Sequence, residues 1–484
     1  MQRFLKTTVV LMLLGFQVMT AQTAKETWIP LFDGKTLNGW KSNESPASFR
    51  VEQGQIVCDG PRAHLFYVGK INKANFKNFE LKAEIKTGDD ANSGIYFHTE
   101  FQKEGWPAKG YEVQVMNSPS NSEHKKTGSL YAVRNVYKSV AKDGDWFTMH
   151  IVVKGQRVMV YVNGIQTADY TQPVNPARDA SFAGRLLSNG TFALQCHDPK
   201  SKVYYKSIVV KPLPDDAVAE AGKDYFTPEK AAQVDLLINQ GYPLIDYHVH
   251  LKGGVTLEDV VNKSLRTGIF CGIAPNCGVG FPVDTNDKLE QYYAERKDVP
   301  VFLSMQAEGR EWVNTFKKES ISKFDYVFTD AMTWTNNNGK RMRLWLKEET
   351  EVGDPQAFMD MLVDRILSVL NDEKIDIYVN STYIPDEIAS RYDELWTDER
   401  MNKVVDGLVK NNIAMEISSR YKIPSAKFIK LAKSKGVKFS LGTNNVDQDF
   451  ANLDYSIQMI KECDLKPSDI FFPKPEGKKP IQVK

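Results

Sequence analysis

The run Asp246-Tyr247-His248-Val249-His250 closes an apolar stretch that begins at Pro243. Side chains two apart on a β-strand leave the same face, so His248 and His250 project together. Two neutral imidazoles at the C-terminal end of a strand can share one divalent cation, and in barrel folds that end is where active sites are built. The chain has seven histidines, and two of them fall in this motif. A pair of ordinary strand histidines is the alternative reading of the same spacing.

The elements that would position this pair follow a strand, helix, strand, helix rhythm. Candidate strands lie near 243–249, 269–274, 300–306, 324–329, 375–380, 413–418 and 437–442, with helical stretches at 354–370, 398–410, 425–434 and 449–461 between them. Seven βα units in this length imply a parallel barrel, although a count alone leaves an open sheet possible. Residues 214–240 have a different texture, with one helix over 228–240, and read as a linker. Before them, residues 28–213 alternate in short runs, among them 79–85, 94–98, 111–115, 147–153, 158–162 and 203–210. Turn residues such as Asn163-Gly164 separate the runs, and helical periodicity is absent. That pattern predicts an antiparallel β-sandwich of jelly-roll type with one concave face.

At 484 residues the chain is too long for one typical core. Its 62 basic and 61 acidic residues leave no electrostatic footprint for nucleic acid or a membrane surface, so neither is an expected partner. Residues 1–21, with Arg3 and Lys6 ahead of an apolar segment from Val9 to Val18, read as a secretory signal peptide. The expected location is therefore outside the cytoplasm, periplasmic or extracellular. Five scattered cysteines form no disulfide framework and read as buried thiols.

Asp246-Tyr247-His248-Val249-His250, Glu308 after the third candidate strand, Glu416 after Ile413 to Met415, and Leu441-Gly442-Thr443-Asn444 together resemble the polymerase and histidinol phosphatase (PHP) superfamily. The resemblance implies a seven-stranded α/β barrel of TIM type over residues 241–484, holding up to three metals. Asn276-Cys277, Asn380 and Asn444-Asn445-Val446 stand where that superfamily usually has Asp-His, His and Asp-x-His. Asparagine offers a neutral carbonyl in place of a carboxylate or imidazole, which weakens a site that needs several ligands per metal. His248, His250 and Glu308, joined by Asp330 and Glu416, would then serve one divalent ion of zinc, manganese or cobalt type. A barrel that merely supports the first domain is the alternative.

The first half carries Leu31-Phe32-Asp33-Gly34-Lys35-Thr36-Leu37-Asn38-Gly39-Trp40, Asn92-Ser93-Gly94-Ile95-Tyr96-Phe97, Gly110-Tyr111-Glu112-Val113-Gln114-Val115, Thr127-Gly128-Ser129-Leu130-Tyr131 and Leu194-Gln195-Cys196-His197-Asp198. These resemble the 3-keto-disaccharide hydrolase family, which implies a concanavalin-like (laminarinase-like) sandwich over 26–213 that cleaves glycosides oxidised at sugar C3. A C3 ketone acidifies the C2 proton, so a base can remove it while the C1 oxygen leaves and water adds afterwards. Such a reaction calls for a base, an acid and a group to hold the enolate oxygen. On this resemblance Glu112 and His197 are the acid and base, Arg134 binds the oxyanion, and Gln114, Tyr131 and Trp106 contact the sugar. The family commonly has an acid after the Glu-x-Gln strand, where this chain has Asn117. His98, His124 and His150 read as surface or core histidines. A dehydrogenase that oxidises sugar C3 would be the functional partner, and no nucleotide cofactor is expected. A second function class stays open, in which the sandwich binds glycans and the barrel is a metal-dependent hydrolase.

Overall fold

The computed structural model describes residues 27–120, 122–336 and 339–483. The leader expected over residues 1–21 lies outside them.

From Phe79 to Thr87 buried and half-buried residues alternate without a break, as a strand with a single core face requires. This strand sits in the middle of an antiparallel sheet ordered Ile165–Thr171, Arg157–Val162, Trp146–Lys154, Phe79–Thr87, Val203–Pro212, Gln55–Cys58 and Phe49–Glu52. Asn163 and Gly164, with φ of 50° and 82°, close the hairpin of its first two members, the pair of positive angles a two-residue type I′ turn needs. The second antiparallel sheet runs Trp40–Ser42, Ala63–Tyr67, Thr191–Cys196, Ser93–Thr99 and Tyr111–Val115. Phe79, Ile85, Phe97, Tyr111, Val113 and Phe192 belong to the core between the two sheets. Ser93–Thr99 and Tyr111–Val115 are buried along their whole length. Segment 127–131 bonds along the edge of the latter, with Tyr131 N donating to Glu112 O at 2.9 Å, and Arg185 reaches over its face.

The second half is a closed barrel of seven parallel strands: β1 (Ile245–Val249), β2 (Phe270–Ile273), β3 (Phe302–Ala307), β4 (Tyr326–Thr329), β5 (Ile377–Tyr378), β6 (Ala414–Ser418) and β7 (Phe439–Gly442). The ring runs β2-β1-β7-β6-β5-β4-β3, and β3 returns to β2 by pairing Phe302 with Gly272 and Leu303 with Ile273. This last pairing settles barrel against open sheet, which counting βα units leaves undecided. All seven strands are buried on both faces, as expected where helices cover a parallel sheet.

The segment read as a linker divides in two. Residues 214–226 contain no helix or strand and lie against the sandwich, where Asn78 Nδ2 donates to the carbonyls of Pro214, Asp215 and Ala217. Helix α1 (Pro228–Asn239), capped by Thr227, buries Val234, Leu237 and Ile238 in the barrel core. The barrel domain thus starts at α1. The helix expected over 449–461 begins only at Asp454, because Asp246 Oδ2 accepts from Ala451 N at 2.8 Å and holds the preceding loop against β1.

Val136 and Tyr137 of the sandwich join Ile245, Phe270, Phe302, Tyr326, Ile377 and Ala414, the first residues of six barrel strands, in one apolar cluster. The sandwich therefore plugs the N-terminal end of the barrel. Tyr137 packs edge-on against Phe270, with ring centroids 5.5 Å apart, and Lys138 Nζ pairs with Asp325 at 3.0 Å beside it. Among the described residues no helix is long and apolar enough to cross a membrane, and all five cysteines are buried and unpaired. Tyr137→Ala should remove about 3 kcal/mol of packing and lower the barrel's unfolding midpoint by several degrees in scanning calorimetry. An unchanged midpoint would mean that the plug adds nothing to barrel stability.

Candidate functional site

Glu112 and Gln114 leave the same face of Tyr111–Val115 and line one cavity of about 380 Å³ on the inner five-stranded sheet, a volume within the ~300–1,000 Å³ of small-molecule sites. Tyr96, Trp106, Tyr131, Phe182, Arg185, Gln195 and His197 also line it. Gly94 lies directly under Glu112: a Cβ there would stand 2.5 Å from Oε1, so only glycine lets the carboxylate settle at this depth.

A buried carboxylate needs compensating partners. Glu112 Oε1 accepts from Gln195 Nε2 at 2.9 Å and Oε2 from Arg185 Nη2 at 3.1 Å. Burial works against the charge on Arg185, and the Glu112 carboxylate overcomes it, leaving the guanidinium more basic than usual. The same guanidinium lies over the rings of Tyr96, Tyr131 and Phe182 at 5.5, 5.9 and 5.6 Å, a favourable cation–π arrangement. Arg185 Nη1 and Gln195 Oε1 are buried without a protein partner. Unpaired buried donors and acceptors are uncommon, and here one of each belongs to a residue that lines the cavity.

A second carboxylate, Glu123, accepts from Tyr131 OH at 3.0 Å and pairs with Lys125 at 3.1 Å. Burial alone would raise its pKa, but Lys125 and the Lys125 amide hold it below the ordinary value. Burial and then Glu123 push the Tyr131 phenol upward, so it remains a proton donor. At the other side His197 Nδ1 donates to Asp198 Oδ2 at 2.7 Å, which fixes the ring and leaves Nε2 available. Trp106 stands 5.2 Å from the His197 ring and is 43% exposed. Behind it lies His64, fully buried against Tyr96 and Trp106, with neither ring nitrogen partnered; burial pushes its pKa down to about 3.

Five of the six sandwich candidates, Glu112, His197, Gln114, Tyr131 and Trp106, therefore border a single cavity. Arg134 does not. Its Nη1 is bound by Asp235 Oδ1 at 2.7 Å and its Nε by Arg266 O at 3.0 Å, both from the barrel domain. Ala132, with φ of 59°, turns the chain between Tyr131 and Arg134, so the two side chains part company, and the guanidinium beside Glu112 is that of Arg185. Arg185, Glu123, Gln195 and His64 escape the sequence reading; Gln195 alone carried a signal, two residues before His197. His98 binds Lys77 O, His124 stacks on Phe472 and His150 pairs with Glu80, all structural contacts.

At the C-terminal end of the barrel the proposed ligands are engaged with one another and with amides. His248 Nδ1 bonds Glu416 Oε1 at 2.6 Å and its Nε2 faces Gln306 Oε1 at 3.2 Å. His250 Nδ1 donates to Ala274 O at 2.8 Å. Asn276 donates to Glu308 at 2.6 Å and Asn380 to Asp330 at 2.8 Å. Burial, reinforced by Asp330, pushes Glu308 up to about 8. Among the described residues no three His, Cys, Asp or Glu side chains converge to hold a metal. Of the residues expected to hold an ion, Glu308 and Asp330 are bonded by Asn276 and Asn380 and His248 Nε2 faces Gln306, while His250 Nε2 is buried without a protein partner.

Residues 27–211 match the family described as the 3-keto-alpha-glucoside-1,2-lyase-like domain, so the N-terminal half carries a 3-keto-disaccharide hydrolase domain. A 3-keto-disaccharide hydrolase of Bacteroides thetaiotaomicron is 35% identical over 26% of this chain and 52% of its own length. The chain thus spans about half the length of the curated relative it matches. A solved Parabacteroides distasonis protein, thought to be a glycosyl hydrolase, aligns at 26% identity and TM-score 0.32, covering 39% of this chain and 94% of that one. Histidinol phosphate phosphatase of Lactococcus lactis, solved with zinc, histidinol and phosphate, aligns at 15% identity and TM-score 0.34, covering 46% of this chain and 94% of that one.

The burial of neutral His64 makes an acid-side prediction. Its folded pKa of about 3 lies below the ordinary histidine value of 6.5, so the unfolded chain binds the extra proton and stability falls as pH drops from 6.5 toward 3. His64→Phe keeps the ring and removes the proton acceptor. Between pH 7 and pH 5 its stability relative to wild type should improve by about 2 kcal/mol in urea denaturation; a difference independent of pH would place His64 in contact with water.

Proposed function

We propose that this chain is an exported carbohydrate-active enzyme that cleaves 3-keto-glycosides by acid/base elimination across C2 and C1 followed by hydration. The family match over residues 27–211 supports the reaction class. The observation that carries the assignment is Arg185, a residue lining the cavity: its Nη2 is tied to Glu112, while its buried Nη1 has no protein partner. A donor so placed suits the oxygen at C3, which gains negative charge as the C2 proton departs.

Glu112 and His197 are the acid and base. Glu112 is held in one orientation by Gln195 and Arg185, and Asp198 orients His197 so that Nε2 handles the proton. Tyr131, whose proton goes to Glu123, can accept a hydrogen bond from a sugar hydroxyl at its phenol oxygen, and Trp106 gives a partly exposed ring on which a sugar face can stack. The ionic groups of the cavity occur as pairs, Glu112 with Arg185 and Glu123 with Lys125, which suits a neutral sugar. The substrate's ketone is supplied by a dehydrogenase acting at sugar C3, and residues 1–21 direct the enzyme out of the cytoplasm. The barrel supports the sandwich and takes no part in the chemistry.

Purified protein incubated with a 3-keto-glucoside should release 3-keto-glucose. Glu112→Gln and His197→Ala should each lower kcat/KM at least a hundredfold, whereas His250→Asn, far from the cavity, should stay within threefold of wild type. Full activity in both sandwich variants, or loss confined to His250→Asn, would remove the site from the sandwich.

A further inference from the structure

Two lips of the sandwich cavity are joined by a side chain that belongs to neither lip. Asn239, the last residue of α1 in the barrel domain, is 4% exposed. Its Nδ2 donates to Ala132 O, and its Oδ1 accepts from Asp179 N at 3.0 Å.

Each of these backbone groups lies next to cavity residues. Ala132 follows Tyr131 and has φ of 59°, a left-handed conformation unfavourable for alanine that persists only where surroundings enforce it. Asn135 Oδ1 holds its N–H at 3.0 Å, and Asn239 holds its carbonyl. Asp179 opens the turn that delivers Arg185: Phe182 N donates to Asp179 O and Arg185 N to Phe182 O, both at 2.9 Å. One amide thus ties the turn presenting Tyr131 to the turn presenting Arg185. Two residues along, the buried Arg134–Asp235 pair, at 2.7 Å, fixes the Tyr131 turn to the same helix.

The geometry points to Asn239 as a positioning residue for the sandwich site: the barrel sets the placement of Tyr131 and Arg185 relative to each other at the cavity through this amide, without contact with the sugar. This rests on the reading that the sugar binds in the cavity both residues line. It also assigns the barrel a purpose that needs no metal, since the clamp lies on α1 and the histidine motif is not part of it. A displacement of about 1 Å at reacting groups is enough to lower rates strongly, so a lost clamp should be visible in catalysis before it is visible in folding.

Amide hydrogen exchange on the full chain reads the clamp without any substrate. Asn239→Ala should speed exchange at least fivefold in both segments 130–135 and 179–185 while leaving strand 191–196 unchanged. Asn239→Asp keeps the acceptor and loses the donor, so it should loosen 130–135 and spare 179–185. With 3-keto-glucoside, Asn239→Ala should lower kcat/KM at least tenfold. Lys138→Met, which breaks a different contact between the domains, should stay within threefold and leave both segments protected. Exchange unchanged in Asn239→Ala, equal loosening in Lys138→Met, or loosened segments with unchanged kcat/KM would each overturn the positioning role. If the exchange pattern appears but wild-type protein cleaves no 3-keto-glycoside, the clamp stands and the proposed substrate is wrong.

Discussion

The Glu112 carboxylate sits on a sheet face from which water is largely excluded, and a charge in that position persists only with matched partners. Arg185 and Gln195 supply them from two separate segments, the turn after Asp179 and the strand Thr191–Cys196. Much of the sandwich architecture follows from that requirement. Gly94 makes room beneath the carboxylate, the rings of Tyr96, Tyr131 and Phe182 surround the guanidinium, and the Arg185 turn is held in place from below. Breaking such a pair by removing one partner typically costs about 3–5 kcal/mol, because the remaining charge is stranded. The same partial satisfaction that makes the pair costly to break leaves one guanidinium nitrogen and one amide oxygen without a protein partner.

The barrel enters this picture through its underside. Val136 and Tyr137 fill the N-terminal end of the ring, while α1 reaches the sandwich through Asp235 and Asn239. The histidine motif lies toward the opposite end, where the amides of Gln306, Asn276 and Asn380 bond His248, Glu308 and Asp330. The barrel can act as a rigid support whatever its far end binds, and its contacts with the Tyr131 and Arg185 turns give that support a defined target.

The parts legible in the sequence are those set by local periodicity and by unusual residue pairs. Alternation from Phe79 to Thr87, the Asn163-Gly164 turn and the seven apolar strand segments of the second half all correspond to observed elements. Glu112 and Gln114 share a face because they are two apart on a strand. Arg134 misled because three residues of sequence separate it from Tyr131, yet the left-handed backbone at Ala132 sends the two in different directions. Arg185 was invisible because it lies in an irregular loop with no periodic pattern around it, and its partner is 73 residues away. The helix Pro228–Asn239 read as linker because its short apolar stripe only makes sense once the barrel against which it packs is known. The surroundings of the histidine pair were hidden for a related reason: His248 and His250 keep the spacing, but their neighbours include residues at 276, 306 and 380 that are distant in sequence.

A crystal structure with 3-keto-glucose, or with an unreactive 3-keto-glucoside analogue, tests the central claim most directly. The account predicts the sugar in the sandwich cavity, with its C3 oxygen within hydrogen-bond reach of Arg185 Nη1 and its C2 carbon facing Glu112 or His197. A sugar seated at the C-terminal end of the barrel against His250, with the sandwich cavity unoccupied, would contradict it.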